Sequence, residues 1–559
     1  MSGRTRFLGY GRSGNLNSDD SERLLDAAEQ DDGVESSALL QSSSIQSDLI
    51  GTMGTGSSAN RPPCRLLATT LLHSFLAGLP IGYHVGVLNI PQQLIEGFVN
   101  RSYDQHYHRS LSAYDLSALW SFIISALLIG GFCSSFISTP VVSRWGRKVA
   151  LFLVMNLLQV LGSVALSSAC FAGSFELLIL GRLLVGFSGG LGMNWLALYL
   201  TEVSPDRHRG LVASFENLAI TSGTFLSTVL SLPEVLGSSR LWPLLVGLGA
   251  LPAVLQMLLF PTVPETPKFL YLQRGDRSGA IKSILFYPGP RTNVNHVLSE
   301  LLRRNANASE DVNGSKEMDL RTILSQRHYR LPILLGCLTN AAAMSSGIMA
   351  IFSYSADMFE QAGMSARQSV YATPIAASVN LLGAILAPPL LDRLGRRPLL
   401  LGGLSVNVAC CILFIVCAEL TSVAGQWLAW FSVAAVLVHV CVFNLGPGPT
   451  CWFLAAEMTP QAVRSNAVSL SVAANCLTAL TIIQVYLVLE SAVGSYAFLL
   501  FIVPTSLAIV VLAIWLPETK GRSVDQIVTG WMKATPASAG ATKIDEDGEL
   551  LSGDDLEYS

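Results

Sequence analysis

The feature that most limits the fold is a series of twelve apolar windows, each near the roughly 20 residues that a helix needs to cross a bilayer. They fall at 66–88, 117–139, 149–171, 176–200, 211–232 and 241–260, then at 331–356, 371–391, 398–419, 427–456, 465–489 and 495–516. A polar stretch, 262–330, separates the first six from the second six. Soluble globular chains carry about 25% charged residues; here they make up 13%, against 51% hydrophobic. The pattern predicts an all-α membrane protein with twelve transmembrane helices in two six-helix halves, 66–261 and 331–516. Tails at 1–65 and 517–559 flank them, the first rich in Ser, Gly and Asp and without the apolar core of a signal peptide. The tenth window is interrupted by GPGP at 446–449, a break tolerated only where backbone faces protein or a wet cavity.

Basic residues orient the spans. The even-to-odd connections carry Arg144, Arg147, Lys148, Arg207, Arg209, Arg393, Arg396, Arg397 and Arg464, whereas the opposite loops carry only Arg101, Arg109, Arg240 and Arg367. The positive-inside rule then predicts both tails in the cytosol. The loop after the first span lies outside, so its sequon at Asn100 is the glycosylation candidate; those at Asn307 and Asn313 are expected to stay bare in a cytosolic linker. A net charge of −4 gives no basic field for nucleic acid. The ten cysteines lie almost all in apolar windows and suggest no disulfide framework. The sequence carries no hydrolase, kinase or metal-site constellation, so neither an enzyme nor a bound metal or cofactor is expected.

Three motifs occur twice in the same order. RWGRK at 144–148, EVSPDRHR at 202–209 and PET at 264–266 return as RLGRR at 393–397, EMTPQAVR at 457–464 and PET at 517–519. Two homologous halves related by an axis along the membrane normal produce such a repeat. In both copies of ExxPxxxR the Glu and Arg are seven residues apart, too far to face one another along a straight helix. With Pro between them they can sit on a break and reach towards the other half. The expected result is a cytosolic gate made by Arg144, Arg147, Glu202, Arg209, Arg393, Arg396, Arg397, Glu457 and Arg464, with Arg182 counted among them. Ion pairs at a wet interface are worth about 1 kcal/mol or less each. Several that hold only one conformation suit an element that must open and close.

The stretches GYHVGVLNIPQQLIEGF, SRWGRK, LILGRLLVGFSGG, YLTEVSPDRHRG, VPETPKFL, DRLGRRPLL, GPGPTCWFLAAE and LPETKGRS resemble sugar porters of the major facilitator superfamily, especially the animal facilitative glucose and fructose transporters. The resemblance covers residues 66 to about 530. It implies the major facilitator fold, short cytosolic helices in 262–330, and uniport of a hexose or related polyol by alternating access, with membrane lipid as surroundings. It also implies where the solute binds: Asn217, Asn380, Asn444, Trp452 and Asn475. Amides both donate and accept without the cost of a buried charge, and an indole face packs against the C–H edge of a sugar ring.

Span seven departs from the family pattern. Relatives read QQLSGINAVFYYS where this chain has AMSSGIMAIFSYS at 343–355. Ala343, Met344 and Met349 replace three amides, each worth roughly 1 kcal/mol as a hydrogen bond, which argues against an ordinary glucose carrier. His84 stands where proton-coupled relatives carry Asp, and Glu216 lies beside Asn217; ionisable groups inside spans are functional candidates. His84 is therefore grouped with the solute-binding residues and with a pH-sensitive or proton-coupled alternative. A transporter-shaped sensor without flux is the other alternative, opposed by two intact sets of gate motifs. Acidic dileucine patterns end at Leu24 and Leu25, Leu39 and Leu40, and Leu550 and Leu551. They fit clathrin adaptors and sorting to endosomes or lysosomes, set against residence at the plasma membrane.

Overall fold

In the computed structural model the described residues are 64–205, 209–287, 294–302, 327–425, 427–459 and 461–520. The three dileucine patterns, Asn307 and Asn313 lie outside them. Every regular element among the described residues is helical. The first half comprises α1 (Cys64–Gly86), α2 (Gln92–Tyr107), α3 (Ala113–Trp145), α4 (Met155–Ala172), α5 (Phe175–Val203), α6 (Arg209–Leu230), α7 (Trp242–Gly247) and α8 (Ala250–Leu258). After the linker helix α9 (Arg277–Phe286) come α10 (Arg327–Ser345), α11 (Ile348–Gln361), α12 (Ala366–Leu394), α13 (Arg396–Ala424), α14 (Trp427–Leu445), α15 (Pro447–Met458), α16 (Gln461–Val493) and α17 (Leu499–Trp515).

Ten stretches are long and apolar enough to cross a membrane by length and composition. One of them, Ala467–Trp515, takes in most of α16 and all of α17. The fifth window is absent from the ten because α6 is amphipathic, carrying Glu216, Asn217 and a line of threonines. Counting α16 and α17 separately and adding α6 restores the twelve spans. Local chemistry marks several helix starts. The Ser112 hydroxyl accepts from the Asp115 N–H at the head of α3, and Ser365 and Gln368 form a capping box at the head of α12. The seventh window splits into α10 and α11 at Gly347, and the tenth into α14 and α15 at Gly446.

Each half packs internally first: α1 on α6 and α3 on α5 in one, α10 on α16 and α13 on α14 in the other. The halves then meet through α3 with α16 and α6 with α12. These are spans two with eleven and five with eight, pairs that a two-fold axis interchanges. The α1–α6 contact depends on small residues. A Cβ at Gly82 would stand 1.8 Å from the Ile220 carbonyl oxygen. Gly82→Ala forces the backbones apart, and a methyl group inserted into a packed contact costs about 1–3 kcal/mol. A fluorescent fusion of this variant is expected to lose most of its monodisperse peak on size-exclusion chromatography. Gly97→Ala, where nothing lies within 4 Å, keeps its peak. Equal peaks would show that the contact yields freely.

Candidate functional site

The repeated motifs converge at one end of the bundle, the motif end, as two copies of one latch. In RWGRK the chain turns at Gly146, φ 91°, and in RLGRR at Gly395, φ 92°; both lie in the left-handed region that glycine tolerates best. The turn presents the N–H groups of the following helix to the carboxylate of PET. Glu265 accepts from the Lys148 N–H at 2.9 Å, and Glu518 accepts from the Arg396 and Arg397 N–H groups at 3.0 and 3.1 Å. The guanidinium then reaches the Glu of ExxPxxxR: Arg147 Nη2 to Glu202 at 2.9 Å, Arg396 Nε to Glu457 at 3.4 Å. The Thr of PET completes each set, Thr266 donating to Glu202 at 2.7 Å and Thr519 to Glu457. Burial raises Glu265 above the usual carboxylate range despite its backbone donors. Glu518 is also partly desolvated, but the N–H groups of Lys520, Arg396 and Arg397 bring it below that range.

The latches revise the expected gate. Among the described residues, both ion pairs lie within a half, not between halves. The two copies also differ in burial: the Arg147 and Glu202 side chains are 7% and 5% exposed, those of Arg396 and Glu457 23% and 31%. Arg147 has further partners in Gln273 Oε1 at 3.0 Å and the Phe269 ring at 5.1 Å. Arg144 and Arg393 are exposed, and Arg397 donates to the Ala513 carbonyl at 2.6 Å. The side chains of Arg209 and Arg464 lie outside the described residues. Arg182 is not at the motif end at all. It is buried within the first half, donating to the backbone carbonyls of His84 at 2.5 Å and Ile124 at 3.2 Å.

Among the described residues, hydrogen bonds between the halves gather towards the opposite, far end. Asn89 Nδ2 donates to the Phe352 carbonyl and to Ser355 Oγ, both at 2.8 Å, and its Oδ1 accepts from the Ala356 N–H at 3.2 Å. Ser125 donates to Gln484 at 3.1 Å and Tyr371 to Glu234 at 2.6 Å. A narrow cavity between the halves is lined by Asn89, Thr224 and Thr228 on one side and Ser355 and Thr373 on the other. Asn217, Thr221, Thr224 and Thr228 recur at helical spacing on one face of α6, so Asn217 continues this wall towards the motif end.

The second half supplies the opposing amides. Asn444 Nδ2 donates to Asn380 Oδ1, and both residues are buried. Asn475 Nδ2 donates to Asn340 Oδ1 at 3.3 Å, and Asn340 Nδ2 to the Cys451 carbonyl at 2.7 Å. The pairs flank the GPGP break, and Trp452, 38% exposed, follows Cys451. Asn340 escaped the sequence reading because it lies three residues before the span-seven pattern. That pattern is divided: Ala343 and Met344 are buried in the core, whereas Ile351, Phe352 and Ser355 line the cavity between the halves. His84 is placed differently from the expectation. It is fully buried inside the first half, its Nε2 3.5 Å from Ser163 Oγ and packed against Gly249, so it is not on the wall between the halves. Asn100 lies on α2 instead of in a loop, its amide oxygen shielded. A larger apolar cavity of about 280 Å³, lined by Tyr371, Ile375 and Trp430, contains none of these amides.

Two interlocked half-bundles, latched alike at one end and joined by separable hydrogen bonds at the other, define a membrane carrier of the major facilitator class, not an enzyme. The profile of the family described as "Sugar (and other) transporter" matches residues 70–531, and the chain belongs to that family. It is 33% identical over 452 residues to facilitated glucose transporter member 1 of Gallus gallus, covering 81% of this chain and 90% of that protein. It is 34% identical over 486 residues to facilitated glucose transporter member 4 of Homo sapiens, covering 85% and 94%. The fold is similar to the xylose transporter XylE from E. coli in its partially occluded inward-open conformation, with a TM-score of 0.67 at 20% identity, covering 82% of this chain and 99% of that one.

Proposed function

We propose that the protein carries a hexose or related polyol down its gradient, binding it between Asn217 on the first half and Asn380, Asn444, Asn475 and Asn340 on the second. The observation that carries this reading is the pair of amide couples beside the GPGP break. They are uncharged groups able to exchange a partner amide for a hydroxyl. Both tails lie in the cytosol, the latches face it, and the far end faces out. The dileucine patterns engage clathrin adaptors and divide the protein between the plasma membrane and endosomal–lysosomal membranes. Purified protein in liposomes is expected to give saturable uptake of at least one labelled hexose or polyol from a panel, without an imposed proton gradient. Because span seven lacks three amides, glucose is expected to rank below the best solute. A flat response across the panel would favour a sensor without flux. Uptake that appears only with a proton gradient would favour the coupled alternative.

A further inference from the structure

We propose that a groove in the second half, at the far end, holds one acyl chain of a zwitterionic phospholipid whose headgroup rests between Arg367 and Glu234. The groove is the apolar cavity of about 280 Å³ between α12 and α14. Tyr371, Ala372 and Ile375 of α12 form one wall, and Trp430, Val433 and Leu437 of α14 form the other. It lies outside the cavity between the halves. The face of α12 that lines that cavity carries Thr373, Ala376 and Ala377, whereas on the groove face Tyr371 and Ile375 are 39% and 53% exposed, as is Trp430 opposite them at 56%.

The depth of the groove fixes what fills it. It starts in the first turn of both helices and runs from Gln368 to Ile375 and from Trp430 to Leu437, about 10 Å of helix rise. Trp427, Trp430 and Phe431 are all exposed at the head of α14. Such aromatic belts stand at the boundary between membrane and water. The groove therefore descends from the headgroup level into the leaflet at the far end. Its walls are apolar, and hydrocarbon covers them at no cost in hydration.

The mouth selects the headgroup by charge. Arg367 stands one turn before Tyr371 on the same face of α12. It is exposed and makes no hydrogen bond or salt bridge among the described residues. The Tyr371 hydroxyl donates to Glu234 at 2.6 Å, which brings a carboxylate of the first half to the same mouth. A guanidinium binds phosphate oxygens through its planar fork, and the carboxylate faces the ammonium of the same headgroup. A sterol offers only a hydroxyl, and an anionic phospholipid meets Glu234 with like charge. The groove is also tied to the seam, because Tyr371 is both its wall and the donor of a bond between the halves. Closure of the far end holds the ring where a chain packs on it, so a bound lipid favours closure in return.

The site does not depend on which solute is carried, and it can be tested without one. The full chain in phosphatidylcholine nanodiscs receives a small share of phosphatidylcholine with a diazirine in the upper part of one chain. After illumination, mass spectrometry compares labelling of the groove with that of Leu507, Val510 and Ile514 on α17, which are exposed and apolar but line no groove. Labelling of the groove is expected to be higher by about fivefold, the ratio that one well-placed interfacial charge supplies. Ala434→Leu fills the groove from an exposed position and should bring the two sites level. Arg367→Ala and Glu234→Ala, both exposed at the mouth, should each remove most of the excess. Level labelling in the unaltered chain overturns the proposal, and so does an excess that survives Ala434→Leu and Arg367→Ala. A diazirine sterol that labels the groove and resists excess phosphatidylcholine would replace the phospholipid with a sterol. Equal labelling by a phosphatidylglycerol probe would overturn the choice of headgroup. A dimer that Ala434→Leu converts to monomer, seen by mass photometry, would assign the groove to a second copy of the chain.

Discussion

Removing the Glu202 carboxylate, as Glu202→Ala, is expected to cost several times more stability than removing its counterpart Glu457. The two stand in the same motif, bond the same residue types and occupy equivalent places in the two halves. What differs is water. The Arg147–Glu202 pair is more than nine-tenths buried, and Arg147 Nε already lacks a partner. Deleting Glu202 leaves a guanidinium with Gln273 as its remaining side-chain acceptor, and a buried charge stripped of its partner costs about 3–5 kcal/mol. The Arg396–Glu457 pair is a quarter to a third exposed, and water screens what remains, so its loss costs about 1 kcal/mol or less. Thermal unfolding of the two purified variants in one detergent measures the difference. Equal shifts, or the larger shift at Glu457, would show that burial does not set the strength of the latch. Glu202→Gln, which keeps an acceptor for Thr266 but not the charge, should fall between Glu202→Ala and the unaltered protein.

The latch also shows how far the sequence could be read. The repeat of RxGR, ExxPxxxR and PET was legible as a repeat, and so was the division into six and six. What the motifs bond was not. The Glu202–Arg147 and Glu457–Arg396 pairs join segments 55 and 61 residues apart, and no periodicity links such positions. The order of the motifs held the needed hint, because PET trails each half and supplies both a carboxylate and a hydroxyl. Arg182 and His84 were misplaced for a related reason. Both α1 and α5 are apolar around most of their circumference, so helical spacing cannot tell which face meets the cavity and which meets another helix. Asn380 and Asn444 are named from the family pattern alone, and the structure brings the two together. Asn340 stands outside that pattern, and it became visible only as the acceptor of Asn475.

The amide couples carry the second large effect. Asn380→Ala is expected to raise the apparent KM for the best solute about tenfold or more while leaving the amount of folded protein unchanged. Asn444 and Asn380 bond each other, so a solute hydroxyl that inserts between them replaces one hydrogen bond with two. Losing one such bond to a neutral partner costs about 1 kcal/mol. Leaving the surviving buried amide unpaired in the bound state adds to it, for about 1–3 kcal/mol in all. Asn444→Ala should behave alike, and the double variant should be little worse than either single one, because residues in direct contact are not additive. A purely structural couple gives a different pattern. The single variants would then lower the unfolding temperature, and the double variant, which leaves nothing unpaired, would recover part of it with KM unmoved. Uptake kinetics and thermal unfolding measured on the same four proteins separate the two roles. Should KM hold constant across all four, the solute binds elsewhere, and Asn475 with Asn340 becomes the couple to replace next.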